Sequence, residues 1–219
     1  MHYLKSSSRI LLLLSAILSL FSCKQTDKEY YTDGTLKSEQ HFKGKTPHGR
    51  SIWYYPNGKK ELQIDYKDGK EHGEVIRWYF NGKRESLENY TDSRKTGRSL
   101  SWDQQGTLID EKNYLNDTLH GAYQKYHANG NVMIKGNYER GMFDGKWVYF
   151  NEYGLLIGEG NYSHGAGLHR AFHPDGSVWV ETPYQNNMRN GTEKEYLPGG
   201  TLKRETFFKD DRIEKVVNY

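Results

Sequence analysis

Three histidines recur in one setting: His48, His72 and His120 each stand directly before a glycine. Histidine is the commonest metal-binding side chain, so the setting raises the question of a shared ion. Equivalent residues of neighbouring hairpins would lie about 10 Å apart, two strand spacings. Zinc takes its ligands at about 2 Å, so one ion could not span them. His169 and His173 alternate along one candidate strand, but no third ligand accompanies them. Phosphate-binding loops fail on their glycines. Gly44-Lys45-Thr46 would need glycine at 39, where Glu39 stands; Gly158-Glu159-Gly160 and Gly165-Ala166-Gly167 are followed by Ser163 and Arg170 where the third glycine belongs. No G-x-S-x-G occurs. Glu39, Glu111, Glu159, Glu181 and Glu205 repeat along the chain as a solvated row would, rather than as an acid/base pair. The expectation is a chain with no catalytic residue, no cofactor and no metal.

The one side chain whose surroundings specify a chemistry is Cys23, the only cysteine. Lys5 and Arg9 precede an apolar run from Ile10 to Phe21, which Leu20-Phe21-Ser22-Cys23 closes. The run is too short for a usual membrane span and reads as a secretory signal. Its end resembles a bacterial lipobox, which implies cleavage before Cys23 and acylation of the thiol. Residues 1–22 are thus expected to be a lipoprotein signal peptide, 23–29 a short tether, and 30–219 the folded array. The signal holds two basic residues and no acidic one, so the remainder has a formal charge of +1. Lysine and glutamate are interleaved throughout, and no block of like charge tracks a nucleic acid or a strongly anionic membrane.

What would position any site is a repeat. Gly34, Gly58, Gly82, Gly106, Gly130, Gly154, Gly176 and Gly200 follow one another at steps of 24, with a single step of 22. Eight residues after each stands an aromatic: Phe42, Tyr66, Tyr90, Tyr114, Tyr138, Tyr162, Tyr184, Phe208. Four residues before each stands another: Tyr30, Tyr54, Trp78, Trp102, Tyr126, Phe150, Phe172, Tyr196. A second glycine (Gly49, Gly73, Gly97, Gly121, Gly145, Gly191) follows in six units, and the sixth unit is two residues short. Such self-similarity is the mark of a repeat array.

Asn57-Gly58, Asn81-Gly82, Asn129-Gly130 and Asp175-Gly176 are hairpin turn dipeptides of the type I′ kind. The fold expected is all-β: an elongated array of about eight β-hairpin repeats of about 24 residues, forming one twisted antiparallel sheet. Two-residue loops would set the −4 and +8 aromatics on opposite faces; an odd loop or a bulge would bring them onto one. The need of a single sheet for one strongly buried side favours the shared face. The short sixth unit is expected to mark a kink or a local change of twist, and the Asn89, Asn113, Asn137, Asn161 row to be either backbone-satisfying amides or a polar recognition ladder.

The stretch WYYPNGKKELQIDYKDGKEHGE, with its aromatic run before Asn-Gly, lysine-rich return strand, mid-strand tyrosine and glycine-lysine-x-His-Gly ending, resembles the MORN-repeat variant as found in YwqK-like antitoxin proteins. The resemblance runs from residue 30 to about 213. It implies a hairpin array and an antitoxin or immunity role, and supplies no catalytic residues. Lys60 and Arg84 depart from it at a usually apolar position. With the lipobox, the reading is a lipid-anchored, non-enzymatic protein-binding module of the bacterial envelope, at the outer membrane, whose partner is a protein such as a toxin. The alternative is a structural scaffold of the envelope.

Overall fold

The computed structural model describes residues 24–219. They form one open antiparallel sheet of 21 strands. Four of them are two-residue pieces that a bulge separates from the longer strand that follows, as Thr46–Pro47 from Gly49–Tyr54; counted together they give seventeen strand positions, each paired with its chain neighbours in a plain meander. Cys23 and the segment 1–22, expected to be a signal peptide, lie outside the described residues. The stretch 24–29, expected as a tether, belongs instead to the edge strand Lys24–Tyr30, which pairs along its whole length with Leu36–Lys43. The reason is local. Asp33-Gly34 closes the first hairpin, and Lys28 and Glu39 pair across it at 3.5 Å.

Two kinds of turn alternate. At the repeat glycine the loop is not the expected type I′. The Gly58 N–H donates to the Tyr55 carbonyl at 2.8 Å and the Tyr55 N–H to the Lys59 carbonyl at 2.8 Å. Within this loop only the glycine has positive φ, +76°. This is a three-residue loop whose last residue is left-handed, which suits Pro56 at the first turn position and glycine at the end. The true two-residue turns lie at the opposite edge. There both central residues have positive φ, as at Asp68-Gly69 and Asn116-Asp117, between the pairs Lys67↔Lys70 and Leu115↔Thr118; at the first such turn, Gly44-Lys45, only the glycine does.

The odd loop does not bring the aromatic rows together. Tyr54 pairs with Lys60, but Trp53 pairs with Leu62. A one-residue bulge directly after the loop cancels its offset, and the body of each hairpin keeps the register of a two-residue loop. The −4 and +8 aromatics therefore face opposite sides, contrary to the expectation of a shared face. The sheet has a −4 face and a +8 face.

The second glycines are also bulges. Phe42 pairs with Pro47 but Ser38 with Trp53, so the register slips by two residues around Gly49, whose φ is +94°. The same slip recurs at Gly73, Gly97, Gly121, Gly145 and Gly191, all with positive φ. The sixth unit lacks it. From Gly158↔Ala171 to Ser163↔Ala166 the ladder runs without a shift. The two-residue deletion removes the bulge, so the pairing there is the most regular in this series; no kink interrupts the ladder, and losing a bulge changes the local twist.

Candidate functional site

Polar side chains of the repeat mostly serve the stacking of units. Tyr31, Tyr55 and Tyr79, one residue after the −4 aromatic, donate their hydroxyls to the carbonyls of Tyr54, Trp78 and Trp102 in the next unit, at 2.6–2.8 Å. The amides of Asn57, Asn81 and Asn129 donate to Phe80, Gln104 and Glu152 in the following turn. Asn89 and Asn113 donate to the carbonyls of Arg98 and Ala122, just past the bulge glycines. These two amides thus satisfy backbone groups beside the bulges, the structural one of the two readings; Asn137 instead reaches the Tyr138 carbonyl at 3.4 Å. His48, His72 and His120 each approach a turn carboxylate of the next unit, Asp68, Asp92 and Glu139, at 3.3–3.5 Å. Among the described residues, no three His, Cys, Asp or Glu side chains gather where they could hold a metal ion.

The two faces differ in character. On the −4 face, ion pairs cover the sheet: Arg50–Asp65 at 2.8 Å, Arg98–Glu111 at 2.6 Å, Lys146–Glu159 at 3.0 Å and Arg170–Glu181 at 2.8 Å. Of the recurrent glutamates, Glu39, Glu111, Glu159 and Glu181 are thus held by cations, while Glu205 accepts from the Tyr219 hydroxyl at 2.8 Å. Lys60, which departs from the apolar pattern, lies 5.4 Å over the Trp78 ring.

The +8 face changes along its length. Its midline is set by cross-strand pairs: Ser51↔Ile64, Val75↔Glu88, Ser99↔Lys112, Tyr123↔Gly136, Trp147↔Gly160 and His169↔Thr182. A large residue meets a small one where the aromatics are biggest. Trp147, 3% exposed, lies on Gly136, where a Cβ would fall 2.2 Å from its ring. Tyr123, Tyr138 and Phe143 surround it at 4.7–5.6 Å, and its indole N–H donates to the Asn137 carbonyl at 3.1 Å. Rings of Phe143, Tyr162 and Tyr184 continue the cluster. Burial pushes Tyr138 and Tyr149 up to about 12 and Tyr162 further up.

Beyond this packed block the face opens into a groove of about 460 Å³, lined by Tyr149, Gly158, His169, Ala171, Trp179 and Tyr184 among others. Gly158 and Ala171 form a low floor. A Cβ on Gly158 would come within 2.9 Å of the Arg170 carbonyl and 3.2 Å of the His169 ring. His169 stands edge-on to Tyr149 at 4.9 Å, and burial lowers its pKa. Trp179 forms a wall and is 46% exposed. Glu195 lies near Trp179 and between Lys203 and Arg204, each at 2.7 Å; the Lys203 hydrogen bond holds its carboxyl below the usual range. An aromatic, electrically balanced groove is suited to apolar side chains of a partner and presents no nucleophile–base pair. Sequence reasoning did not single it out. Its signal was visible in Trp179 and Ile157, at a position that is lysine or glutamate in four other units (Lys37, Glu61, Glu85, Lys203).

The sequence pattern of the family described as MORN repeat variant matches six segments, 28–43, 47–68, 71–92, 119–140, 167–186 and 189–210. No curated protein matches the chain.

Proposed function

Since the chain belongs to the MORN repeat variant family, a family of repeat-based binding modules, we propose that it is a lipid-anchored, non-enzymatic protein-binding module of the bacterial envelope, held at the outer membrane through Cys23, and that its partner is a toxin it neutralises. The observation that carries the binding reading is the groove of the +8 face, where Trp179 stands exposed beside a floor of Gly158 and Ala171. Aromatic side chains in desolvated pockets are the usual anchors of protein interfaces. The lipobox-like Leu20-Phe21-Ser22-Cys23 supports the anchor. The edge strand starts at the next residue, Lys24, and all seven of its side chains are exposed.

The test is affinity isolation of the tagged, acylated protein from its own cells, read by mass spectrometry. One stoichiometric partner, toxic when produced alone, is the expected result. Several abundant envelope proteins, or none, would replace this reading with the scaffold.

A further inference from the structure

The loop of the sixth unit breaks the rule that the other seven obey. The residue before the repeat glycine is Asp33, Asn57, Asn81, Gln105, Asn129, Asp175 or Gly199 in those units, and Tyr153 here. The residue after it is Thr, Lys, Asn or Ser elsewhere, and Leu155 here. Leu156 and Ile157 follow. The exchange has a structural cost: Asn57, Asn81 and Asn129 each tie their turn to the next one, and a tyrosine has no amide to do so. Within the loop, Asn151 replaces only the local bonds, accepting from the Tyr153 and Leu155 N–H groups at 3.0 Å. What results is a set of exposed apolar side chains, Tyr153 at 78% and Leu155 at 64% exposed, with Leu156, Ile157 and Trp179 also exposed; Tyr153 lines a hollow with Val132, Lys135 and Phe150, and Ile157 and Trp179 line the groove.

The surroundings restrict what covers this patch. Strand Lys24–Tyr30 starts at the two-residue-turn edge and ends at the edge that carries Tyr153. A lipid on Cys23 would thus lie across the sheet from the patch, about 20 Å away by strand length alone, and five units further along. The anchor by itself therefore does not hold the patch at a bilayer. Five side chains supply only a few hundred Å², less than the roughly 800 Å² per partner of a stable dimer. In the loops 127–131, 151–155 and 173–177 the only charged side chains are Glu152 and Asp175, and hydrogen bonds from Ser177 lower the Asp175 pKa. These loops are acidic, with Lys135 lining the hollow beside Tyr153, whereas the loops of the second and third units carry Lys59, Lys60, Lys83 and Arg84.

We propose that the sixth-unit loop and the adjoining groove are the specificity site for a protein segment in which an aromatic or long aliphatic residue is flanked by lysine or arginine. The apolar residue enters between Trp179 and Ile157, and the basic flanks meet Glu152 and Asp175. This rests on the protein-binding reading above and names the part of the surface that chooses the partner.

The test uses the full chain and three fluorescein-labelled nonapeptides, with a central Leu-Trp flanked by lysines, by glutamates or by serines, read by fluorescence anisotropy. The lysine peptide should bind at least tenfold tighter than the glutamate peptide, with the serine peptide between them. The variant Tyr153→Asn/Leu155→Lys restores the residues of the second unit's loop. It should fold at least as well and lose the lysine peptide tenfold or more. Equal binding of the three peptides, or no change in the variant, overturns the proposal. So does binding of the unacylated chain to phosphatidylcholine vesicles through Tyr153, or a dimer in light scattering that the variant abolishes. If a partner isolated from cells stays bound to the variant, this assignment fails while the binding module stands; if no partner is found with either form, the binding reading itself fails.

Discussion

Trp147→Ala tests the packing of the +8 face. The indole is 3% exposed, touches Tyr123, Tyr138 and Phe143, and makes one hydrogen bond to backbone. Truncating a buried Trp costs about 3–5 kcal/mol, and the lost hydrogen bond adds about 1 kcal/mol. Because Gly136 and Gly160 oppose the ring, no neighbouring Cβ can collapse into the space, so the upper part of that range, about 4–5 kcal/mol, is expected. In an array whose units contact only their neighbours, a loss of this size unfolds units five to seven before the rest. Urea titration followed by far-ultraviolet circular dichroism should show an early transition covering part of the signal. The control is Trp179→Ala, whose side chain is half exposed and should cost under about 1.5 kcal/mol. Equal costs for the two variants would refute the claim that the aromatic block, rather than backbone pairing alone, holds this region.

Gly136→Ala should destabilise by roughly 1–3 kcal/mol, since its methyl would overlap the Trp147 ring; thermal melts check this. Gly73→Ala, at φ +116° in a bulge, should cost about 1–2 kcal/mol, measured the same way. Tyr138 and Tyr149 are pushed up to about 12; because their folded values exceed the ordinary 10, the stability they contribute is whole below pH 10 and is lost as pH rises through 12. Absorbance at 295 nm should show Tyr138, Tyr149 and Tyr162 ionising after the other tyrosines, or together in an unfolding step. Cys23→Ser should abolish incorporation of labelled palmitate and leave a form that is not released as mature protein; labelling that persists would move the acylation elsewhere.

The period, the hairpins and the single sheet were legible because the turn glycines and two aromatic rows recur without exception. The facing of those rows was not. It depends on two offsets, an odd loop and a bulge after it, that cancel, and residue types do not report bulges whose position is free of glycine. The second glycines did announce bulges, yet they read as unit boundaries because their φ cannot be seen in sequence. The two-residue deletion around Gly167 was visible, but only the register showed that it removes a bulge and leaves a straight ladder. The proposed binding surface was hidden for a different reason. Tyr153, Leu155 and Trp179 matter as departures from the repeat, and attention to what recurs passes over what does not.

Everything proposed for this protein requires that both faces stay open to solvent. Seventeen strand positions at about 4.8 Å give a sheet roughly 80 Å long, and a rod of that length has a radius of gyration of about 23 Å, against about 16 Å for a compact domain of this size. Small-angle X-ray scattering of the purified, unacylated chain measures this directly. A value near 23 Å with an elongated distance distribution is predicted; a value near 16 Å would mean that the array closes on itself and that the groove is not available to a partner.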